Sequence, residues 1–169
     1  MSHVLLLDTN VWSHLILGEE NKRQKVQADL DALLLKYPGA ARATSRICVA
    51  ECLVAARRLL DPAERAAAEA AFAAEFDNPQ LIIVEVSKEV ADVAATQRAE
   101  ILRRVAAVAG GAPAGPDGGR LKLPDAFIAA SCLDFNPPAI LVTENEVDFR
   151  YVEDGIQKTV AGLIVEKIG

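Results

Sequence analysis

Short apolar runs, each about as long as a buried strand, alternate with longer segments of helical periodicity along this chain of 169 residues. The clearest run is Val4–Leu7, which stops abruptly at Asp8. Strands that alternate with helices favour an α/β fold with a mainly parallel sheet, because a parallel connection needs a long crossover that is usually helical. We predict a single domain over residues 1–169, since domains commonly contain about 100–200 residues.

The pattern also predicts the individual elements. The predicted strands are Val4–Leu7, Leu81–Val86, Ala139–Thr143 and Gly162–Lys167. The predicted helices are Val11–Leu17, Val26–Leu35, Arg46–Leu60, Pro62–Phe76, Ser87–Val105, Pro124–Leu133 and a short one near Val147–Tyr151. Thr9 or Asn10 is the expected N-cap of the first helix and Thr44 or Ser45 that of the third. Residues 109–120, rich in glycine and proline, predict a surface loop or hinge.

Composition excludes several classes of protein. Hydrophobic residues make up 51% and charged residues 25%, which is ordinary for a globular domain and argues against disorder. Every apolar run is far shorter than the ~18 residues of a membrane span. No basic segment precedes the first apolar run, so we expect no secretory leader and a cytoplasmic location. Three cysteines without a CxxC pair disfavour both a disulfide framework and a cysteine zinc site.

The formal net charge of −6 argues against a nucleic-acid binder that relies on a broad basic surface. It remains compatible with a nuclease whose carboxylates hold metal while a few cations hold phosphate. A small-molecule enzyme and a plain interaction domain are equally compatible with this charge.

Four carboxylates occur where the predicted elements would place a site. Asp8 ends a strand, Asp125 lies in the first turn of an apolar helix, and Asp148 follows the strand that ends at Thr143. Glu51 is the one charge in an apolar helical stretch, residues 47–56. Three of them have a structural alternative: Asp8 and Asp125 could cap helices, and Glu51 could pair with an arginine such as Arg46 or Arg57. We expect Glu144 and Glu146 to be solvated.

Ligands of open parallel sheets bind at the carboxyl ends of the strands, which is where these acids are expected. Converging carboxylates repel one another, and a divalent cation removes that repulsion. Oxygen ligands suit Mg²⁺ or Mn²⁺. The residues therefore indicate a magnesium or manganese site.

Four segments, Val4–Asn10, Ser45–Glu51, Leu121–Ala130 and Leu141–Phe149, together make the chain resemble PIN-domain ribonucleases, in particular the VapC-type toxins of toxin–antitoxin pairs. The resemblance implies a three-layer α/β/α sandwich with a short, mainly parallel sheet. It also implies Mg²⁺- or Mn²⁺-dependent endoribonuclease activity on RNA that leaves a 5′-phosphate. A cognate antitoxin and a homodimer are the partners that it implies.

The resemblance further assigns roles by position. Asp8 and Asp125 are similar to the main metal ligands, Glu51 to the third acid, and either Asn145 or Asp148 completes the set. The supporting polar residues are Thr9, Asn10, Thr143 and Asn145, of which the two threonines would orient ligands or the attacking water.

Cations near the predicted site are candidates for contacting RNA phosphates, with a solvated surface position as the alternative for each. They are Arg42, Arg46, Arg98, Arg120 and Lys122. We expect Lys22, Arg23 and Lys25 to be surface charges only.

Trp12, Cys48 and Cys52 are predicted core residues. Three other functions remain open: a phosphatase with Asp8 as nucleophile, a PIN-type nuclease of RNA processing, and a catalytically silent interaction module. The phosphatase is disfavoured because Asn10 stands where a second aspartate would be needed.

Overall fold

The computed structural model describes residues 3–108, 121–153 and 156–169. The strands are β1 Val4–Leu7, β2 Ala41–Ser45, β3 Leu81–Val84, β4 Ile140–Thr143, β5 Arg150–Glu153, β6 Ile156–Thr159 and β7 Ile164–Lys167. The helices are α1 Thr9–Leu17, α2 Glu20–Lys36, α3 Arg46–Arg57, α4 Pro62–Phe76, α5 Lys88–Val108 and α6 Leu123–Leu133, with a 3₁₀ helix at Glu146–Phe149. The predicted loop at residues 109–120 lies outside the described residues.

Five strands form one parallel sheet in the order β3-β2-β1-β4-β7. The first strand is central, with Leu5 opposite Arg42 on one side and Ile140 on the other. The chain moves outward from β1 in both directions, so the boundary between β1 and β4 is the point at which ligands of such sheets usually bind. A separate antiparallel pair joins β5 to β6.

Two hydrophobic cores cover the two faces of the sheet. Leu6 belongs to one core, while Leu5 and Leu7 belong to the other, as the alternation of side chains along a strand requires. Helices α5 and α6 pack on the first face, and α1, α2 and α4 pack on the second. The predicted three-layer α/β/α architecture is therefore confirmed.

Several elements differ from the sequence-based expectations. The strand β2 and the β5–β6 pair were not predicted, and α2 begins at Glu20 rather than at Val26. Helix α3 ends at Arg57 rather than Leu60, and a 3₁₀ helix replaces the helix expected near Val147–Tyr151. The other predicted strands and helices are present, with ends that differ by a few residues.

The helix caps show which side chains satisfy the first backbone N–H groups. Asp8 caps α1, so the expectation of Thr9 or Asn10 was wrong: both are already helical. Ser45 caps α3 as predicted, since its hydroxyl accepts a hydrogen bond from the backbone of Cys48 at 3.1 Å. Asp61 caps α4 and accepts from the backbone of Ala63 and Glu64.

The predicted core residues Trp12, Cys48 and Cys52 are all buried. None of the helices within the described ranges is long and apolar enough to cross a membrane.

Candidate functional site

Asp8 lies at the centre of the sheet edge, where β1 ends, and is only 5% exposed. Both oxygens of its carboxylate accept hydrogen bonds: Oδ1 from the backbone of Thr9 and Oδ2 from the hydroxyl of Thr143, each at 2.7 Å. The backbone N–H of Asp8 also donates to the carbonyl of Val142. These contacts from α1 and β4 fix the carboxylate in one orientation.

Glu51 reaches the same place from α3. Its carboxylate accepts a hydrogen bond of 2.5 Å from the hydroxyl of Thr9, the residue next to Asp8. The alternative of an ion pair with Arg46 or Arg57 is wrong, because those arginines pair with Glu85 and Glu69 respectively. Thr9 therefore joins Asp8 and Glu51 through its backbone and its side chain.

Asp125 stands in the first turn of α6 and is partly buried. Its Oδ2 atom is buried and has no hydrogen-bond partner among the residues that the structure describes. Burial raises the pKa of Asp125 to about 7, and the charges of Asp148, Asp8 and Glu51 act in the same direction, while Lys122 opposes them. An unpartnered carboxyl oxygen of this kind is costly unless something else compensates it.

Asp148 lies on the 3₁₀ helix after β4, and its carboxylate accepts a hydrogen bond of 2.7 Å from the side-chain amide of Asn145. The backbone N–H of Asn145 in turn donates to the hydroxyl of Thr143. The turn after β4 thus connects Asp148 to Thr143 and, through it, to Asp8.

The four predicted acids therefore interact electrostatically. Burial raises the pKa of Asp8 above its usual value; the hydrogen bonds from Thr143 and Thr9 oppose this, and the charges of Glu51 and Asp148 add to it. The hydrogen bonds through Thr9 and Thr143 join β1 to α3 and to the segment after β4, and the pKa of Asp125 on α6 responds to the same charges, so the four carboxylates lie near one another at one edge of the sheet.

In this structure the four acids are not arranged as a complete metal-coordination site. Within the ranges that the structure describes, no three His, Cys, Asp or Glu side chains are arranged to hold a metal ion. Their chemistry still fits a hard cation, because the donors are all oxygen and one of them, Oδ2 of Asp125, is buried without a partner.

The predicted RNA-binding cations have different surroundings. Arg46 is paired with Glu85, and Arg98 donates to the carbonyl of Leu121, the residue that leads into α6. Lys122 is exposed, and its positive charge partly opposes the rise in the pKa of Asp125 that burial causes. Arg42 lies in β2. Arg120 lies outside the described residues.

Of the remaining polar candidates, Asn10 lies in the first turn of α1. Glu144 is not simply solvated as expected, because it is bound by His14 of α1 and by Lys22 of α2. Sequence reasoning missed this cluster. No local signal reveals it, since 122 residues separate Lys22 from Glu144.

Comparison with known proteins places the fold in a family. The family model of the PIN domain matches residues 5–154. No curated protein matches the chain.

Three solved structures illustrate the similarity of the fold. VapBC2 from Rickettsia felis, bound to a DNA fragment from its promoter, has a TM-score of 0.63 at 21% identity and covers 98% of this chain and 99% of that one. DNA-bound VapBC from Salmonella typhimurium has a TM-score of 0.61 at 21% identity, with 98% of each chain covered. The sarcin-ricin-loop-cleaving toxin VapC20 from Mycobacterium tuberculosis has a TM-score of 0.51 at 15% identity and covers 77% of this chain and 82% of that one.

At such identities the solved structures show a shared fold, while the family model spans most of the sequence and its matched range includes Asp8, Glu51 and Asp125. Asp148 also falls within the matched range. The chain belongs to the PIN domain family.

Proposed function

We propose that this protein is a metal-dependent endoribonuclease that acts as the toxin of a toxin–antitoxin pair. The observation that carries the proposal is the gathering of Asp8, Glu51, Asp125 and Asp148 at the carboxyl edge of a PIN-family sheet. Support for the ribonuclease and toxin roles comes from structural relatives, which include VapBC complexes and a toxin that cleaves the sarcin-ricin loop.

The electrostatics of the site support a divalent cation. Four mutually repelling carboxylates, one with an unpartnered buried oxygen, gain most from an added positive charge. Asp8 and Asp125 would be the principal ligands, and Glu51 and Asp148 would complete the set. Bound Mg²⁺ or Mn²⁺ would supply Lewis-acid activation of water and of the scissile phosphate.

The chain's own residues prepare this chemistry by orienting the carboxylates. Thr143 holds Oδ2 of Asp8, Thr9 holds Glu51, and Asn145 holds Asp148. Each of these donors occupies one lone pair and leaves others available, since an ionised carboxylate has about four acceptor positions. In this proposal Asn145 orients Asp148, and Asp148 is the fourth carboxylate of the metal site.

Partners follow from the same proposal. The relatives VapBC2 and VapBC are complexes of a toxin with its antitoxin, which supports an antitoxin as a partner of this chain. A homodimer, a cytoplasmic location and an RNA substrate complete the proposal. A PIN-type nuclease of RNA processing would use the same site without an antitoxin.

A catalytically silent interaction module is the second candidate. It is favoured by one observation, namely that no metal-holding arrangement of side chains exists among the described residues. In that case, Mg²⁺ and Mn²⁺ would leave the thermal unfolding temperature unchanged. If the protein is a metal-dependent nuclease, Mg²⁺ or Mn²⁺ should raise the thermal unfolding temperature of the wild type but not that of Asp8→Asn.

The direct experiment is cleavage of a mixed RNA pool with Mn²⁺ by the wild type, Asp8→Asn and Asp125→Asn. Because loss of a residue that merely supports a metal ligand costs about 10–100-fold in affinity or activity, we expect each loss of a ligand to lower cleavage by at least about 100-fold. Asp134→Asn is the matched control, an exposed aspartate at the other end of α6. Equal cleavage by all four proteins would refute the assignment.

A further inference from the structure

A second charged cluster lies beside the four carboxylates. It consists of His14 on α1, Lys22 on α2 and Glu144, which directly follows β4. Glu144 accepts a hydrogen bond from Lys22 through Oε1, and its Oε2 lies 2.5 Å from Nε2 of His14. Two cationic or N–H-bearing side chains thus converge on a single carboxylate.

Chain connectivity places this cluster next to the acidic site. Glu144 stands between Thr143, which donates to Asp8, and Asn145, which donates to Asp148. His14 lies five residues beyond Thr9 on α1, which corresponds to about 7.5 Å along the helix axis.

The cluster opens to solvent. The side chains of His14, Lys22 and Glu144 are 32%, 31% and 28% exposed. They line a surface cavity of about 710 Å³ that Gly18 and Glu19 also border, at the N-terminus of α2. Glu19, the N-cap residue of α2, makes no capping hydrogen bond with its side chain, so it does not itself occupy the N–H groups of that first turn.

The acidic charge of the molecule means that binding a phosphate chain requires local positive charge near the site. The formal net charge is −6, and the acidic edge itself repels a phosphate chain. Of the cations that the sequence predicted to contact RNA, which did not include His14 or Lys22, Arg46 is paired with Glu85 and Arg98 is bound to a backbone carbonyl. Lys22 and His14 share one carboxylate, which another anion could replace.

We propose that His14 and Lys22 form a subsite for a backbone phosphate of the substrate, beside the acidic site. Glu144 holds their donors in place in the free protein and competes with RNA for them. This inference rests on the proposed ribonuclease function. The three residues act in binding and positioning, not in the chemical step.

Lys22 and Glu144 form an ion pair, and the proposal predicts that substituting them changes KM in opposite directions. Lys22→Gln removes a phosphate contact, and we expect KM for a short single-stranded RNA to rise about fivefold with kcat within about twofold, as for the loss of one exposed ion pair. Glu144→Gln removes the competitor, and we expect KM to fall. Lys22→Arg keeps the charge and should restore the wild-type KM.

The matched control is Lys25→Gln, which makes the same change on an exposed lysine of the same helix. A purely structural ion pair would instead lower the thermal unfolding temperature in both Lys22→Gln and Glu144→Gln and shift KM in the same direction in both. That result, or equal KM values for Lys22→Gln and Lys25→Gln in a protein that cleaves RNA, would overturn the subsite and leave the ribonuclease proposal standing.

RNA binding without divalent metal separates the two proposals. The fluorescence anisotropy of a labelled RNA gives its binding constant K over a range of salt concentrations. The fall of log K with log salt should be shallower by about 0.7 in Lys22→Gln than in Lys25→Gln. If the wild type cleaves nothing, the ribonuclease function fails. The salt slopes then decide the subsite alone, and identical slopes would reject it.

Discussion

Thr143 is fully buried and uses its hydroxyl twice, as donor to Asp8 and as acceptor from the backbone of Asn145. Thr143→Val keeps the shape of the side chain but leaves Oδ2 of Asp8 without this donor. Because partners of metal ligands commonly change affinity about 10–100-fold when removed, we expect Mn²⁺ binding to weaken by that factor. Titration calorimetry measures the change, and Thr143→Ser should preserve the affinity.

Thr44→Val is the control for this substitution. Thr44 is also fully buried, accepts a hydrogen bond from Nε1 of Trp12 and donates to the carbonyl of Leu7. It lies on β2, which β1 separates from Thr143 on β4. Its loss should lower the free energy of unfolding without changing Mn²⁺ affinity. Equal losses of affinity in the two variants would mean that general loosening, and not the contact with Asp8, sets the affinity.

The raised pKa of Asp125 makes stability depend on pH. The ordinary value is 3.8 and the folded value about 7, so the unfolded chain loses this proton first as the pH rises. The contribution of Asp125 to stability is therefore present below about pH 4 and declines until about pH 7 in metal-free protein.

Asp125→Asn removes that decline. Between pH 5 and pH 8, without metal, we expect the thermal unfolding temperature of the wild type to fall by about 2–4 °C more than that of the variant, which allows for solvent screening of a partly exposed group. Asp134→Asn should behave as the wild type. Parallel curves for the wild type and Asp125→Asn would contradict the shift.

The residues of the site could be predicted from the sequence to different degrees. Asp8, Glu51 and Asp125 were identifiable because each interrupts an apolar run. The pairing of Glu144 with His14 and Lys22 was not, because it depends on the packing of α1 and α2 beside β4. Long-range contacts of that kind leave no periodicity in the sequence.

At the level of helices, the N-cap of α4 offers a test of local stability. Asp61 accepts hydrogen bonds from the backbone of Ala63 and Glu64 at 2.7 and 3.0 Å. Asp61→Ala should lower the free energy of unfolding by about 1 kcal/mol, measured by urea denaturation. Cleavage of RNA should be unchanged, because α4 contributes none of the four carboxylates.

Asp77, at the other end of the same helix, is the control. Its negative charge stands at the C-terminus of α4, where the helix dipole disfavours it. Asp77→Ala should therefore leave stability unchanged or raise it slightly. A loss as large as that of Asp61→Ala would show that general charge effects, and not the cap, stabilise this helix.

The elements that sequence reasoning missed share a physical cause. Strand β2, with the sequence ARATS, contains polar residues that are nevertheless buried, because Thr44 is satisfied by Trp12 and Leu7 from distant segments. The first turns of α2 are polar and mostly exposed, and the helix is anchored further along by Val26, Leu30 and Leu33. Strand β1, which is entirely apolar, and β4, which is apolar up to Thr143, could be predicted from their own sequences.

For the whole molecule, the prediction of a single domain can be tested by unfolding. Trp12 is the only tryptophan and is buried in the core that covers one face of the sheet. Both cores share the central strands, so we expect its fluorescence and the far-UV circular dichroism to change in one coincident urea transition. Separate midpoints would contradict a single cooperative unit.

The central strand of the sheet has a consequence for synthesis of the chain on the ribosome. Asp8 emerges early, yet the hydroxyl that orients it belongs to Thr143, 135 residues later, and β4 is the strand that pairs beside it. A nascent polypeptide that stops short of β4 carries Asp8, Glu51 and even Asp125 without the partner that orients Asp8. On the proposed function, nuclease activity would therefore appear only after β4 has been synthesised and has paired with β1.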